Sequence, residues 1–552
     1  MPQQPPELPQ LSQLPSVDTA TTQLTDSLNR TRFFHGVNVV YKQPPYYPPF
    51  TTFNASTSFS PHDIALLASL NVNLIRLGVH WAGAEPTRGQ YDSTYFDAIR
   101  RIVKACAEER IYVLLEFHQD GFSRRFCGHG MPDWVLEKET RNKSWWQKLV
   151  GFPVPLRWRP VKVDEKGMPD EEEAKGLTWY LLYFTYAVAD AFGKLYSNYD
   201  GLLDSFAAFW ARVAEEFKSE SNVIGYEIMN EPWPGNHFKN PFLLLPGHGS
   251  RTTLHAMSTT VATAIRTAHP TAIVLFEGAT WDVRAAFPSV PGGNTMHSVL
   301  AYHHYEPPQR APAETVCERR AADARRLGGV AHFLTEWEMW AGAANEDTTT
   351  TTGGGGGDND GGVEASRAAS MYRVVEAADA NLVAGWAGWS YKTFAQGRNS
   401  ADGSLFAVDD DGDNGRVSSR RRRLFYENLW SRTYAYAVAG RVSSMRFERE
   451  SAGFELRFAV VAGLGSWETE IGLVPRVWYP NGFEVVVLCG GTVMSEDCWR
   501  AVDAARDPDA ETGGRGGLVM VIVDLPGLQV GTEVVVRISR AVQHGGCGDG
   551  KT

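Results

Sequence analysis

Eight short apolar runs, separated by helix-length patterns, limit what this chain can fold into more than any other feature. They are "FFHGVNVV" (33–40), "VNLIRLGV" (72–79), "IYVLLEF" (111–117), "VIGYEIM" (223–229), "AIVLFEG" (272–278), "SVLAYHH" (298–304), "AHFLTEW" (331–337) and "LVAGWAGWS" (382–390). Each is close to continuously apolar, as expected of strands covered on both faces. Helical patterns fall between most of them: "SPHDIALLASL", with Ser60 placed to cap and Pro61 at the first helical position, then "STYFDAIRRIVKACAEE", "LLDSFAAFWARVAEEF", "TLHAMSTTVATAIRTA" and "EASRAASMYRVVEAAD". Strand and helix in such alternation predict an α/β chain, a parallel (β/α)8 TIM barrel rather than an open or antiparallel sheet.

The barrel is expected over residues 29–433, longer than usual, so it must carry insertions. Two stand out: an aromatic-rich stretch at about 128–200 and a Thr/Gly/Asp stretch at 345–362 that is expected to be mobile. Both follow strand C-termini and so should sit over the face where a barrel keeps its site. From residue 434 to 543 the pattern changes to period two, with "FELRFAVV", "FEVVVLCGG" and "TEVVVRIS" between Gly/Pro/Asp turns, which predicts a C-terminal all-β sandwich. The Pro/Gln/Thr-rich residues 1–28 are expected to be a disordered tail, and 544–552 a short second one.

A net charge of -11 gives no electrostatic reason to bind nucleic acid. The N-terminus has neither a basic start nor an apolar run, and no stretch has the length of a membrane span; "WYLLYFTYAVADAFGKLY" comes nearest, and Asp190 interrupts it. A cytoplasmic location, or one peripheral to an internal membrane, is therefore expected, with a secreted or lysosomal one left open. The six cysteines form no CxxC pair and indicate neither a zinc site nor a disulfide framework.

Polar residues at barrel-strand C-termini converge on one pocket, and here they form a consistent set. Arg76 lies on the second strand, His118 and Asp120 after the third, Asn230 and Glu231 after the fourth, and His303 and Tyr305 at the sixth; Glu336 closes the seventh and Trp389 the eighth. Two glutamates among Arg, His, Asn, Tyr and Trp suit glycosidic-bond hydrolysis: the leaving oxygen needs a proton, and the sugar carbon needs a facing carboxylate. Structural readings compete at each position. Arg76 could simply neutralise Glu227, His303 could be a bonded core histidine, and Trp389 and Trp386 could both be core. Glu338 shares strand parity with Glu336, so spacing alone does not choose between them.

The motifs "LIRLGVHW", "EFHQD", "IMNEP", "HHY", "FLTEW" and "GWSYK" resemble glycoside hydrolase family 5. "GVNVVYKQPPYYPP", "HQDGFSRRFCGHGMPDW", "NEPWPGN" and "PRVWYPNGFEV" are similar to its endoglycoceramidase and glucosylceramidase-related branch, over about residues 30–540. The resemblance implies a retaining barrel glycosidase with Glu231 as acid/base and Glu336, not Glu338, as nucleophile. It implies Asn230 on the sugar 2-hydroxyl, Tyr305 and Arg76 positioning the nucleophile, and His118 and His303 lining the cleaved sugar's site with Trp389 beneath. Lys42 and Asp120 match positions that bind sugar hydroxyls. Retention calls for carboxyls about 5–5.5 Å apart, Glu336 ionised and Glu231 starting protonated. No metal or organic cofactor is called for. The expected partner is a glycolipid, a glycosylceramide or steryl glucoside, with peripheral membrane contact; oligomeric state is open. Release of a whole oligosaccharide, removal of a single glucose and non-catalytic glycolipid binding are the alternatives.

Overall fold

The computed structural model describes residues 11–137 (apart from 12 and 15), 161–170, 179–279, 285–305, 311–339, 360–392, 425–506 and 517–541, with isolated positions 174, 177, 282, 394 and 508. Three short strands come first: β1 (Ser16–Asp18), β2 (Gln23–Thr25) and β3 (Thr31–Arg32). The next eight are β4 (Phe34–Val39), β5 (Leu74–Gly78), β6 (Tyr112–Glu116), β7 (Val223–Glu227), β8 (Val274–Glu277), β9 (Ser298–His304), β10 (Ala331–Glu338) and β11 (Gly385–Trp389). Each falls within a predicted run or within a residue of one. They close into a barrel in which sequence neighbours pair in parallel and β11 returns to β4.

Helices wrap this barrel: α1 (Pro61–Ser69), α2 (Ser93–Glu108), α3 (Tyr186–Tyr196), α4 (Leu202–Phe217), α5 (Thr253–Ala268), α6 (Ala313–Arg326) and α7 (Asp360–Ala380). The entry to α1 is fixed by Asp63, whose carboxylate accepts from the Ser60 backbone N–H at 2.7 Å and from its hydroxyl at 2.8 Å. On α2, Phe96, Ile99, Val103 and Cys106 are buried at helical spacing, the stripe that packs on the strands. Between β8 and β9 the described residues hold only two 3₁₀ turns. The aromatic insertion supplies α3 and a 3₁₀ segment, Trp179–Phe184, and its Tyr183 and Phe192 pack against Trp233 and Phe122. Residues 345–359 of the low-complexity stretch lie outside the described residues; its last three, 360–362, begin α7.

The C-terminal strands are β12 (Tyr434–Val438), β13 (Arg441–Glu448), β14 (Gly453–Ala459), β15 (Glu468–Leu473), β16 (Phe483–Cys489), β17 (Thr492–Val493), β18 (Trp499–Ala505), β19 (Leu518–Asp524) and β20 (Glu533–Arg540). They build two antiparallel sheets, β1-β2-β3-β12-β15-β19-β18 and β13-β14-β20-β16-β17. Phe447, Phe454, Leu456, Ile471, Val521 and Val536 fill the core the two sheets share, the predicted sandwich.

One boundary is corrected. The tail expected through residue 28 is structured from Ser16, because the β1–β2 hairpin has two burial surfaces. Its edge extends the C-terminal domain's sheet, and Gln23 Nε2 donates to the Val442 carbonyl at 2.7 Å. Val17 and Leu24 pack with Phe34, Leu74, Tyr112 and Phe333, which lie at or near the N-terminal ends of barrel strands. The hairpin therefore floors the barrel, opposite its open mouth. Proposed tail residues 544–552 lie outside the described residues.

Candidate active site

Toward the strand C-termini the apolar fill of the barrel gives way to charge. Glu116, Glu227 and Glu277 are the last residues of β6, β7 and β8, and Arg76 and Asn38 stand within β5 and β4. Burying so many charges is tolerable only if they are paired and bonded, and Arg76 performs most of that pairing. Its five N–H groups are all used: Nε and Nη2 donate to Glu227 at 2.7 and 3.0 Å, Nη2 also to Asn230 Oδ1 at 3.1 Å, and Nη1 to Asn38 Oδ1 at 2.9 Å and Glu336 Oε1 at 2.7 Å. Arg76 thus bonds both Glu227 and Glu336.

Glu336 reaches this point through a slip in β10, whose register against β9 shifts between Leu334 and Glu336, setting Glu336 opposite His303. Its second oxygen accepts from the Tyr305 hydroxyl at 2.8 Å. Burial pushes the Tyr305 phenol well above its ordinary range, reinforced by Glu336 and Glu231, so it remains a donor. Glu338, at the strand's end, is half-buried.

Across the mouth, Glu231 follows β7 with φ +42°, in the left-handed region. Its Oε1 lies 3.0 Å from His303 Nδ1, which is also 3.4 Å from Glu336 Oε2. One carboxylate oxygen of Glu231, one of Glu336 and a ring nitrogen of His303 lie within 4.8 Å of one another. Burial alone would lower the imidazole, but Glu277, Glu336 and Glu231 surround it and hold it up to about 10, so it is a cation at neutral pH. Asn230 is buried, with its amide donating to the Gln119 carbonyl at 3.2 Å.

Lys42, Asp120, His118 and Trp389 form the other wall. Lys42 Nζ sits 2.6 Å from Asp120 Oδ2 and 4.6 Å from the centre of the half-buried Trp389 ring. His118 stacks on Trp389 at 5.0 Å and contacts Glu116 at 2.8 Å. Glu116 Oε2 is in turn 3.6 Å from Arg76, which joins the two walls. Although burial opposes it, Lys42 and His129 hold the Asp120 carboxyl well below the usual range. All ten residues singled out in the sequence therefore meet at one mouth.

Several neighbours escaped the sequence reading. His129 lies 2.7 Å from Asp120, and burial brings its ring down to about 4, which leaves it neutral. His80 is fully buried beside His118 and His129, and among the described residues neither of its ring nitrogens has a hydrogen-bond partner. Gln119, Asn38, Glu116 and Glu277 were also passed over. The available signal was an acid inside each of "LLEF", "GYEI" and "LFEG", an expensive residue in an otherwise apolar strand.

The family model described as cellulase (glycosyl hydrolase family 5) matches residues 46–395, and that of the glycoside hydrolase family 5 C-terminal domain matches 432–513. An endoglycoceramidase of Cyanea nozakii is 36% identical over 497 residues, 89% of this chain and 90% of that protein. An endoglycoceramidase of Hydra vulgaris is 36% identical over 474 residues, 85% and 82% of the two. In fold, the chain is similar to endo-glycoceramidase II from Rhodococcus sp. in its ganglioside GM3 complex, with a TM-score of 0.64 at 19% identity, covering 94% of this chain and 99% of that one. Together these matches define a barrel glycosidase. The chain belongs to glycoside hydrolase family 5, through both its barrel and its C-terminal β domain.

Proposed function

We propose that this enzyme hydrolyses the β-glycosidic bond between sugar and lipid in glycosylceramides, with net retention, and that it acts as an endoglycoceramidase. The observation that carries the reading is that one carboxylate oxygen of Glu231 and one of Glu336 lie within 4.8 Å of each other across the mouth, an approach that suits direct attack on the sugar carbon. The endoglycoceramidases of Cyanea nozakii and Hydra vulgaris, each aligned over most of this chain, support the ceramide aglycone.

In the proposed reaction Glu336 attacks the anomeric carbon while Arg76 and Tyr305 hold its two oxygens. The bond to the lipid oxygen breaks, and that oxygen takes the proton of Glu231. A glycosyl ester on Glu336 results. Glu231, now a carboxylate, removes a proton from water; the water oxygen bonds the sugar carbon and Glu336 departs as it began. Lys42, Asp120, His118 and Trp389 would bind the sugar, and Asn230 its 2-hydroxyl.

The target bond lies at a membrane surface. Tyr180, Phe184, Phe238, Phe242 and Leu245 are exposed on the segments beside Glu231, which supports peripheral contact with the lipid surface. Among the described residues no helix is long and apolar enough to cross a membrane. The test is incubation with glucosylceramide, lactosylceramide, a ganglioside and a steryl glucoside, with products identified by mass. Intact oligosaccharide plus ceramide is expected. Glucose released only from monoglycosylated lipids would replace the endo reading with an exo one, and near wild-type turnover by Glu231→Gln or Glu336→Gln would overturn the catalytic assignment.

A further inference from the structure

Glu277 has no place in the mechanism above, yet it touches the site at a critical point. It ends β8, is almost fully buried, and its Oε2 accepts the backbone N–H of Glu231 at 3.0 Å. Its Oε1 lies 3.7 Å from His303 Nδ1, the same nitrogen that stands 3.0 Å from the Glu231 carboxyl. Glu277 therefore reaches Glu231 from both ends: directly at the main chain and through one imidazole at the side chain.

The main-chain contact matters because Glu231 is left-handed, at φ +42°, a conformation that its Cβ disfavours. A residue in that conformation must be held by its surroundings. Gln119 Nε2 holds the carbonyl side, donating to Glu231 O at 3.1 Å and to Asn230 O at 2.9 Å. Glu277 holds the amide side. Without it a buried N–H would lose its acceptor, and the backbone could relax toward the right-handed region, swinging the carboxyl away from the leaving oxygen.

We infer that Glu277 is a positioning residue that fixes the backbone and the carboxyl of Glu231 for proton transfer to the leaving group. The inference rests on the reading of Glu231 as the acid/base. Burial pushes the Glu277 carboxyl up to about 8; His303 and Arg76 oppose that and Glu231 and Glu227 add to it. Glutamine keeps the length and shape of the side chain and leaves a carbonyl oxygen that can accept the Glu231 N–H.

A positioning role for the acid makes a demand that a merely structural role does not: the loss must depend on the leaving group. Glu277→Met removes the acceptor at similar volume, and Glu277→Gln restores it. Both are measured on octyl β-lactoside, whose alcohol needs the proton, and on dinitrophenyl β-lactoside, whose phenolate leaves without it, with active enzyme counted by trapping with a fluorinated glycoside. Glu277→Met should lose about tenfold or more in kcat/KM on the octyl substrate and less than about threefold on the dinitrophenyl one, with Glu277→Gln recovering most of the octyl rate. Equal losses on both substrates, no loss on either, or a Gln variant as impaired as the Met one would overturn the inference. If Glu277→Met does not fold, Glu277→Ala takes its place under the same criteria. Glu231→Ala run alongside separates the two readings. Failure of azide to restore its turnover of the dinitrophenyl substrate would bring down the acid/base reading and this inference with it; azide rescue together with a flat leaving-group response in Glu277→Met would bring down this inference alone.

Discussion

Replacing Arg76 by lysine keeps the charge and removes the geometry, which makes it the sharpest test of how the mouth is held. The guanidinium spends five N–H groups on Glu227, Asn230, Asn38 and Glu336. A lysine ammonium offers three, all from one atom, so at least two of those bonds are lost. The acceptors are buried, and bonds to charged groups contribute about 1.5–3 kcal/mol each, so Arg76→Lys forfeits about 3–6 kcal/mol divided between folding and reaction. If only the contact with Glu336 fell on the reaction side, kcat/KM would drop about 10- to 150-fold. The assay is kcat/KM on an aryl lactoside together with the urea midpoint, read as an apparent value because two domains unfold. A variant within about threefold of wild type in kcat/KM and with an unshifted midpoint would refute the claim that Arg76 organises the site.

Three further outcomes are expected. Tyr305→Phe removes the hydroxyl 2.8 Å from Glu336 and should lower kcat/KM by about 10- to 100-fold, with circular dichroism unchanged. Leu24→Ala opens a cavity in the barrel floor; it should lower stability by about 2–5 kcal/mol, seen as a lower urea midpoint, and leave KM as it was. His303, whose ring is held up to about 10 in the fold against an ordinary 6.5, binds a proton more tightly folded than unfolded. Its contribution to stability is therefore complete below about pH 6.5 and lost as pH rises toward about 10, so the urea midpoint should fall across that window and fall less in His303→Gln.

The sequence carried the barrel because its signal was repeated: eight apolar runs, each bounded by turns, and five helical stripes whose ends agree with the structure within a few residues. Nine of the ten mouth residues were legible because barrel geometry collects strand ends in one place; Lys42 came only through the family resemblance. The hairpin at Ser16–Thr25 was hidden because two apolar side chains, Val17 and Leu24, are too few to make a period, and the prolines and glutamines around them read as disorder. Their burial comes entirely from distant partners. Glu277 was passed over although the acid in "LFEG" stood out in an apolar strand, because its importance lies in a main-chain contact with Glu231 that no side-chain pattern announces.

The hairpin that floors the barrel also sets the order in which the molecule can be finished. Its sheet continues through β3 into β12, and only Phe33 separates β3 from the first barrel strand. During synthesis β1–β3 leave the ribosome long before β12, β15 and β19, so their sheet edge stays incomplete until the β domain is made, and such an edge is the kind of surface that recruits chaperones or neighbouring chains. A fragment cut after the barrel would keep that open edge permanently. The β domain is thus the closing act of assembly, and a stop anywhere in the last strands should be felt upstream, as poor recovery of barrel activity.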